Sequence, residues 1–353
     1  MCDLIITTML NYAYCSDKYQ YTMGKSFYDS GMKDKSAVFN LFYRKAPENN
    51  NWAVVSGTDE VVEMVANLGN MDPGFFEKFL PGEEYAEFRG YLSAMKFTGN
   101  IYAMREGEIA FPNQPIIIIE GPLIEAQVLE TPMLCIMNHQ MAVATKASRV
   151  CRATNRPVSE FGSRRAHGPW AATFGAKAAI IAGCSATSNI LTGAIFDYGS
   201  TGTMAHSYVT AFGSSVAGEY EAFDTYIKTH KNEPLIMLVD TYDTLKCGVL
   251  NAIKAFKNNG IDDSYKAGYG VRLDSGDLAY LSNKKKYCVP AYHSIPKNIL
   301  HSTINACILS VLPFLPLFLE SIHFLRFHQF LCDHQGEHTR FHFFLFVQEF
   351  YHL

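Results

Sequence analysis

Apolar positions in the first third of the chain alternate between two spacings. Tyr19, Met23 and Phe27 recur at helical intervals behind Ser16-Asp17, predicting a capped helix through about Ser30. Ala37–Arg44, with Val38, Leu41 and Phe42, predicts a strand. Gly57-Thr58-Asp59 opens a predicted helix through about Leu68. Ile101–Ala110 and Ile116–Ile119 predict further strands, the second too short to span a bilayer and suited to a buried position. Residues 1–120 therefore read as a mixed α+β domain.

From about Gly121 the pattern changes to strand, polar turn, helix, repeated. Leu123–Arg152 is a long helical stretch that Pro132 is expected to kink or divide. Short strands are expected at Val158–Phe161, Leu235–Val239 and Tyr269–Leu273, and helices at Ala171–Ala182, Ala217–His230 and Asp243–Asn258. Asn259-Gly260 supplies a helix stop. Such repetition predicts an α/β domain over residues 121–282, its parallel sheet open or closed into a barrel. Function in these folds gathers where strands end and helices begin. Four strand ends carry unusual polar residues, around Arg164, His206, Asp240 and Asp274.

Past Asn283 the texture breaks. His293, His301, His323, His328, His334, His338, His342 and His352 crowd into residues 283–353, and periodicity fades. The apolar run Ile308–Leu319 is interrupted by Pro313 and Pro316 and is too short to cross a membrane. This tail reads as disordered or misassigned. A metal site built from the scattered histidines is not expected, although His334 and His338 stand at i, i+4 spacing.

Composition narrows the class. With 48 % hydrophobic and 18 % charged residues the chain is globular, and 30 basic against 34 acidic residues leave a net charge of −4. No general attraction to nucleic acid or an anionic membrane follows, so any phosphate must be held by local arginines and backbone N–H groups. The nine cysteines form no C-x-x-C pair and read as free thiols in a reducing compartment. Asp3 and the lack of Lys or Arg before Lys18 argue against a secretory leader, so the cytosol is expected.

Four motifs carry candidate chemistry. In Arg272-Leu273-Asp274-Ser275-Gly276-Asp277, Asp274 and Asp277 can accept ribose hydroxyls or hold Mg²⁺, and Arg272 offers a fork for phosphate. A plain helix cap explains the same carboxylates equally well. In Glu160-Phe161-Gly162-Ser163-Arg164-Arg165, Arg164 and Arg165 suit anions and Phe161 suits a flat ring, or the three are one core ring and two surface charges. Gly199–Ser207 is a Gly/Ser/Thr loop before His206, able to present N–H groups to phosphate and then a nucleophile or base, although lone histidines are commonly structural. Asp240-Thr241-Tyr242-Asp243-Thr244 ends a buried strand with paired carboxylates, for Mg²⁺, hydroxyls or a helix cap. Together they list what a phosphorylated sugar substrate needs.

These segments resemble the nicotinate phosphoribosyltransferase family. The resembling stretches are Asp17-Lys18-Tyr19-Gln20 with Thr22-Met23, Glu160–Ala166, Thr187–Asn189, Gly202–Ser207, Val239–Thr244 and Arg272–Asp277, spread over residues 10–282. The resemblance implies an irregular α/β barrel of type II phosphoribosyltransferases joined to a smaller, dimer-contacting N-terminal domain. It implies transfer from phosphoribosyl pyrophosphate to nicotinate, coupled to ATP hydrolysis, with Mg²⁺, in NAD salvage. His206 matches a histidine phosphorylated from ATP, Phe161 a ring stacking on the pyridine, and Tyr19 a stacking residue given by the partner of a homodimer. Arg164, Arg165, Ser207, Arg272, Asp274, Ser275 and Asp277 match positions around the substrates. Asn189 stands where nicotinamide-using relatives carry Asp, which suits an anionic nicotinate. The family continues past Asp277 with further βα units and a G-V-G-T turn for the 5′-phosphate, and nothing here matches that turn. An incomplete barrel with weak or no activity is therefore expected, and a non-catalytic dimer partner or nicotinamide or quinolinate transfer are the alternatives.

Overall fold

A computed structural model describes residues 15–45, 51–69, 71, 73–262, 264–281 and 330–331. The expectations for the leader region, for Cys2, Cys288, Cys307 and Cys332, and for the tail from 283 onward otherwise lie outside the described residues.

In chain order the elements are α1 (Lys18–Asp29), β1 (Ser36–Leu41), β2 (Ala53–Val54), α2 (Thr58–Ala66), α3 (Pro73–Glu77), α4 (Ala86–Ala94), β3 (Asn100–Ala103), β4 (Ile109–Ala110) and β5 (Ile117–Pro122). Then come α5 (Leu123–Gln127), α6 (Glu130–Arg152), β6 (Ser159–Glu160), α7 (Pro169–Ile181), β7 (Ala186–Thr187), α8 (Ile190–Phe196), α9 (His206–Ala211) and α10 (Val216–Thr229). The last are β8 (Leu235–Leu238), α11 (Val249–Asn258), β9 (Tyr269–Arg272) and β10 (Phe330–Leu331).

Two compact units result, Met1–Arg156 with Ser163–Cys184 and Leu309–Leu353, and Pro157–Gly162 with Ser185–Ile308. This division differs from the expected one at 120/121. The reason is the apolar face of α5 and α6. Leu123, Ile124, Met133 and Met137 are at most 1 % exposed and join Phe39, Val61, Phe76, Phe88 and Ile117 in one core.

In the first unit the sheet runs β10-β1-β5-β3, with all pairs antiparallel. A Cβ on Gly99 would lie 2.1 Å from the Glu120 carbonyl oxygen, so only glycine admits the entry of β3 beside β5. Two expectations are corrected here and one holds. Asp17 stands at the N-cap of α1 without a side-chain cap hydrogen bond, its Oδ2 instead accepting the Thr131 hydroxyl at 2.8 Å. The stretch Leu123–Arg152 is divided, as expected, but the break falls before Glu130, and Pro132 sits in the first turn of α6, where a missing N–H costs nothing. Ile101–Ala110 is two short strands, β3 and β4, rather than one.

The second unit holds the parallel pairs. β6 pairs with β7 and β8 with β9, and Thr187 bridges in parallel to Ser200. Its core joins Leu235, Met237, Leu238 and Val271 to Phe223, Ile253 and Phe256 of α10 and α11. Ser215 caps α10 through Oγ, accepting from the Gly218 N–H at 3.1 Å. Among the described residues no helix is long and apolar enough to cross a membrane.

Candidate functional site

Strand β8 is buried and apolar, and it delivers Asp240 to its C-terminal end. The Asp240 side chain is 4 % exposed. Its Oδ1 lies 3.1 Å from Nε2 of His206, the first residue of α9. Its Oδ2 accepts from the backbone N–H of Asp274 (2.8 Å), the backbone N–H of Ser275 (2.6 Å) and the Ser275 hydroxyl (2.8 Å). Burial pushes the Asp240 carboxyl up, but the donors from Ser275, Asp274 and His206 outweigh it and hold the group below the usual carboxylate range. One buried carboxylate thus ties together three strand-end loops.

Arg272 ends β9 and is 8 % exposed. Its Nη1 donates to Thr203 Oγ1 at 3.1 Å and to the Met204 carbonyl at 3.2 Å, and its Nη2 faces Asp274 Oδ1 at 3.3 Å. Among the described residues its buried Nε has no hydrogen-bond partner, nor has the Oγ1 of Thr241 beside Asp240. Orphaned buried donors are unusual and suit a site that takes an anion.

The two remaining carboxylates of these motifs are caps. Asp277 Oδ1 accepts from the Tyr280 N–H at 2.9 Å, and Asp243 Oδ1 accepts from the N–H groups of Leu245 (3.1 Å) and Lys246 (2.9 Å). The Asp243 turn opens a π-helical segment, Thr244–Gly248, ahead of α11. Here Gly248 is obligatory, since a Cβ on it would lie 1.9 Å from the Val239 carbonyl oxygen. Among the described residues no three His, Cys, Asp or Glu side chains gather as a metal site.

Phe161, half-buried, follows β6. Asn189 follows β7 and caps α8, its Oδ1 accepting from the Thr192 N–H at 3.0 Å. Ser207 is exposed on the first turn of α9. All these residues belong to the second unit.

Tyr19, Arg164 and Arg165 belong to the first unit. Arg164 is exposed and Arg165 half-buried in a single helical turn, Ser163–Arg165. The Tyr19 hydroxyl donates to Glu130 Oε1 at 3.0 Å, and Gln20 Nε2 donates to Glu130 Oε2 at 2.7 Å. Burial and the Glu130 charge both push the Tyr19 hydroxyl pKa up, and burial also raises that of Glu130.

Sequence reading named His206, Arg272, Asp274 and Ser275 individually, but gave Asp240 no role toward His206. The signal was present as a buried strand ending in Asp. The cap it seemed to offer is made by Asp243 instead.

Residues 15–138 match the family model described as the nicotinate phosphoribosyltransferase (NAPRTase) N-terminal domain. A nicotinate phosphoribosyltransferase of Bacillus subtilis (strain 168) is 43 % identical over 274 residues, taking in 77 % of this chain and 54 % of that protein. Over these residues the chain is similar to nicotinate phosphoribosyltransferases. It spans about half the length of the curated relatives it matches. The crystal structure of human nicotinic acid phosphoribosyltransferase superposes with a TM-score of 0.70 at 27 % identity, over 78 % of this chain and 64 % of that one. A nicotinate-nucleotide pyrophosphorylase from Pyrococcus furiosus gives 0.63 at 24 % identity, over 81 % and 64 %, a likeness of fold alone. The chain therefore has the α/β fold of type II phosphoribosyltransferases with an N-terminal domain.

Proposed function

We propose that this chain is built for nicotinate phosphoribosyl transfer: nicotinate, phosphoribosyl pyrophosphate, ATP and water giving nicotinate mononucleotide, pyrophosphate, ADP and phosphate. The observation that carries the reading is the buried Asp240 joining His206 to the Asp274-Ser275 turn.

An ionised Asp240 accepts from His206 Nε2–H, which assigns the proton to Nε2 and leaves the Nδ1 lone pair as nucleophile. Nδ1 attacks the γ-phosphorus of ATP, the bond to the β-phosphate oxygen breaks, and ADP leaves. Asp240 stabilises the charge on the ring, and water later takes the phosphoryl group from His206. In the transfer step the pyridine nitrogen displaces pyrophosphate at the ribose anomeric carbon, and the protein's part is positioning and charge stabilisation. Arg272, with its unpartnered Nε–H, faces the pyrophosphoryl or phosphoryl charge. Phe161 stacks on the ring and Asn189 lies by its carboxylate. Ser207, Ser275, Arg164 and Arg165 enter as further substrate contacts, and Tyr19 as the residue lent across a homodimer in the cytosol.

Asp274 is engaged by Arg272 and Asp277 by a helix cap, so the donor set suits Mg²⁺ arriving with pyrophosphate rather than a dedicated protein cage. Asp274 and Asp277 would hold it, and it supplies compensation for the leaving negative charge.

A second reading is a subunit that lends residues such as Tyr19 to sites completed beside a longer relative. One experiment separates the two. The purified chain is given nicotinate, phosphoribosyl pyrophosphate, Mg²⁺ and γ-labelled ATP, alone and mixed with a full-length family member. Mononucleotide from the chain alone, with label held on His206, supports the first reading, and stimulation only in the mixture supports the second. Neither turnover nor labelling of His206 under both conditions overturns both.

A further inference from the structure

Glu160 takes no part in the reaction just described, yet its buried carboxylate sits where three of the contributing segments meet. Glu160 is 5 % exposed and Thr187 is fully buried. One carboxylate oxygen accepts the Gly162 N–H, directly after Phe161. The other accepts the Thr187 hydroxyl at 2.7 Å, and that hydroxyl oxygen accepts the Asn189 N–H at 3.0 Å. The Glu160 carbonyl accepts the Ser188 N–H at 2.9 Å. The Thr187 backbone donates to the Gly199 carbonyl at 3.2 Å and accepts from the Thr201 N–H at 2.8 Å, at the start of the loop leading to Thr203 and His206.

A strut that only held β6 against β7 would have its bonds in the ladder. Here the Glu160–Thr187 side-chain bond crosses the paired strands, and the same two side chains reach on to the residues just past the strand ends, Gly162 and Asn189. Two-residue strands cannot hold loop spacing by themselves. A buried carboxylate with both oxygens engaged by charge-assisted bonds can, because loosening either loop strands a charge.

We propose that Glu160 and Thr187 form a positioning clasp that sets the distance between the Phe161 turn and the Asn189 loop, and thereby the fit of an aromatic monocarboxylate between them. The clasp is independent of the phosphoribosyl-transfer reading, and only the ligand's identity rests on that reading.

The test uses the whole chain with Thr187→Val, Thr187→Ser and, as a second disruption, Glu160→Gln. Two quantities are read on the protein without turnover: amide hydrogen exchange at Gly162 and Asn189, and nicotinate affinity by calorimetry. Loss of one such hydrogen bond corresponds to about tenfold. Thr187→Val and Glu160→Gln are expected to speed exchange at Gly162 and Asn189 about tenfold, with α10 and α11 unchanged, and to weaken nicotinate by a similar factor. Where turnover is measurable, the KM for nicotinate rises and that for phosphoribosyl pyrophosphate stays within about twofold. Thr187→Ser restores wild-type behaviour. Exchange that accelerates throughout the unit, or nicotinate affinity unchanged in both disrupting variants, overturns the clasp. Local acceleration in a wild-type background that binds no nicotinate overturns the ligand assignment instead.

Discussion

His206 Nε2 and Asp240 Oδ1 lie 3.1 Å apart across 34 residues of sequence, and the same carboxylate's other oxygen is filled by the Asp274-Ser275 turn. Asp240 therefore orients the histidine and is itself oriented. In Asp240→Asn, an amide oxygen can still face His206 only if the NH₂ faces the N–H donors of Asp274 and Ser275, a donor against donors. The alternative rotamer restores those acceptors and turns the NH₂ toward His206, favouring the wrong tautomer. Either way phosphoryl transfer to His206 should fall by about 10²-fold or more. Label incorporation from γ-labelled ATP checks it, and near-wild-type labelling would remove Asp240 from the mechanism.

The same group sets an acid limb on stability. The folded pKa of Asp240 is depressed, since burial, which raises it, is outweighed by the hydrogen bonds from Ser275, Asp274 and His206. A depressed carboxylate stabilises the fold above its unfolded value of about 3.9, and that contribution fades as pH falls through the lower folded value. The stability gap between wild type and Asp240→Asn should be widest near neutrality and shrink below about pH 4. Denaturant midpoints at several pH values measure it. A gap independent of pH would show that the carboxylate charge contributes nothing.

Arg272 is the second residue whose geometry makes a quantitative demand. Its guanidinium serves Thr203, the Met204 carbonyl and Asp274 at once, and its Nε–H is still without a partner. Lysine keeps the charge and loses the fork. Arg272→Lys should raise the KM for phosphoribosyl pyrophosphate about 10- to 100-fold, the worth of one or two charged hydrogen bonds, and leave the KM for nicotinate nearly unchanged. Steady-state kinetics with each substrate varied decides it. Equal effects on both would mean that Arg272 only holds the loop.

Much of this was legible in the chain itself. The βα rhythm after Gly121 put Asp240 and Asp274 at strand ends, because a buried parallel strand must stop where polar residues begin; His206, expected at another strand end, instead opens a helix, and the structure joins the three by hydrogen bonds. Pairing was not legible. Spacing does not separate Asp240 from Asp243 as the cap, and in the structure Asp243 makes the cap while Asp240 meets His206. The burial of Gln20 was not legible, because the residue is polar by composition and yet lies buried between Glu130 and Gln127. Its side chain donates to Glu130, and its carbonyl accepts from Gln127. Glu160 looked like the polar lead-in to Phe161, since nothing in the spacing of residues 160 and 187 announces a hydroxyl waiting for that carboxylate.

The first unit offers a test that does not depend on catalysis. Lys177, 4 % exposed on α7, places Nζ 2.5 Å from Glu60 Oε1 and 2.9 Å from Glu106 Oε2. Burial works to strip its proton, and the charges of Glu60 and Glu106 more than reverse that, so its pKa is raised. Glu106 is pushed up by burial despite Lys177 and the Gly57 N–H. Its stabilising contribution is thus larger on the acid side of its folded pKa and declines as pH rises through it. Lys177→Met leaves two carboxylates facing each other in the core with only Gln140 and the Gly57 N–H as donors to them. Removing one partner of a buried ion group costs about 3–5 kcal/mol at neutral pH. Glu106 can relieve part of this by taking up a proton, so the deficit should shrink on going from about pH 7.5 to about pH 5, in the same direction as the Asp240 effect but in a higher pH window. Urea unfolding of both proteins at the two pH values measures it. A deficit under about 1 kcal/mol, or one that grows toward acid, would mean that the lysine is not what neutralises this pair.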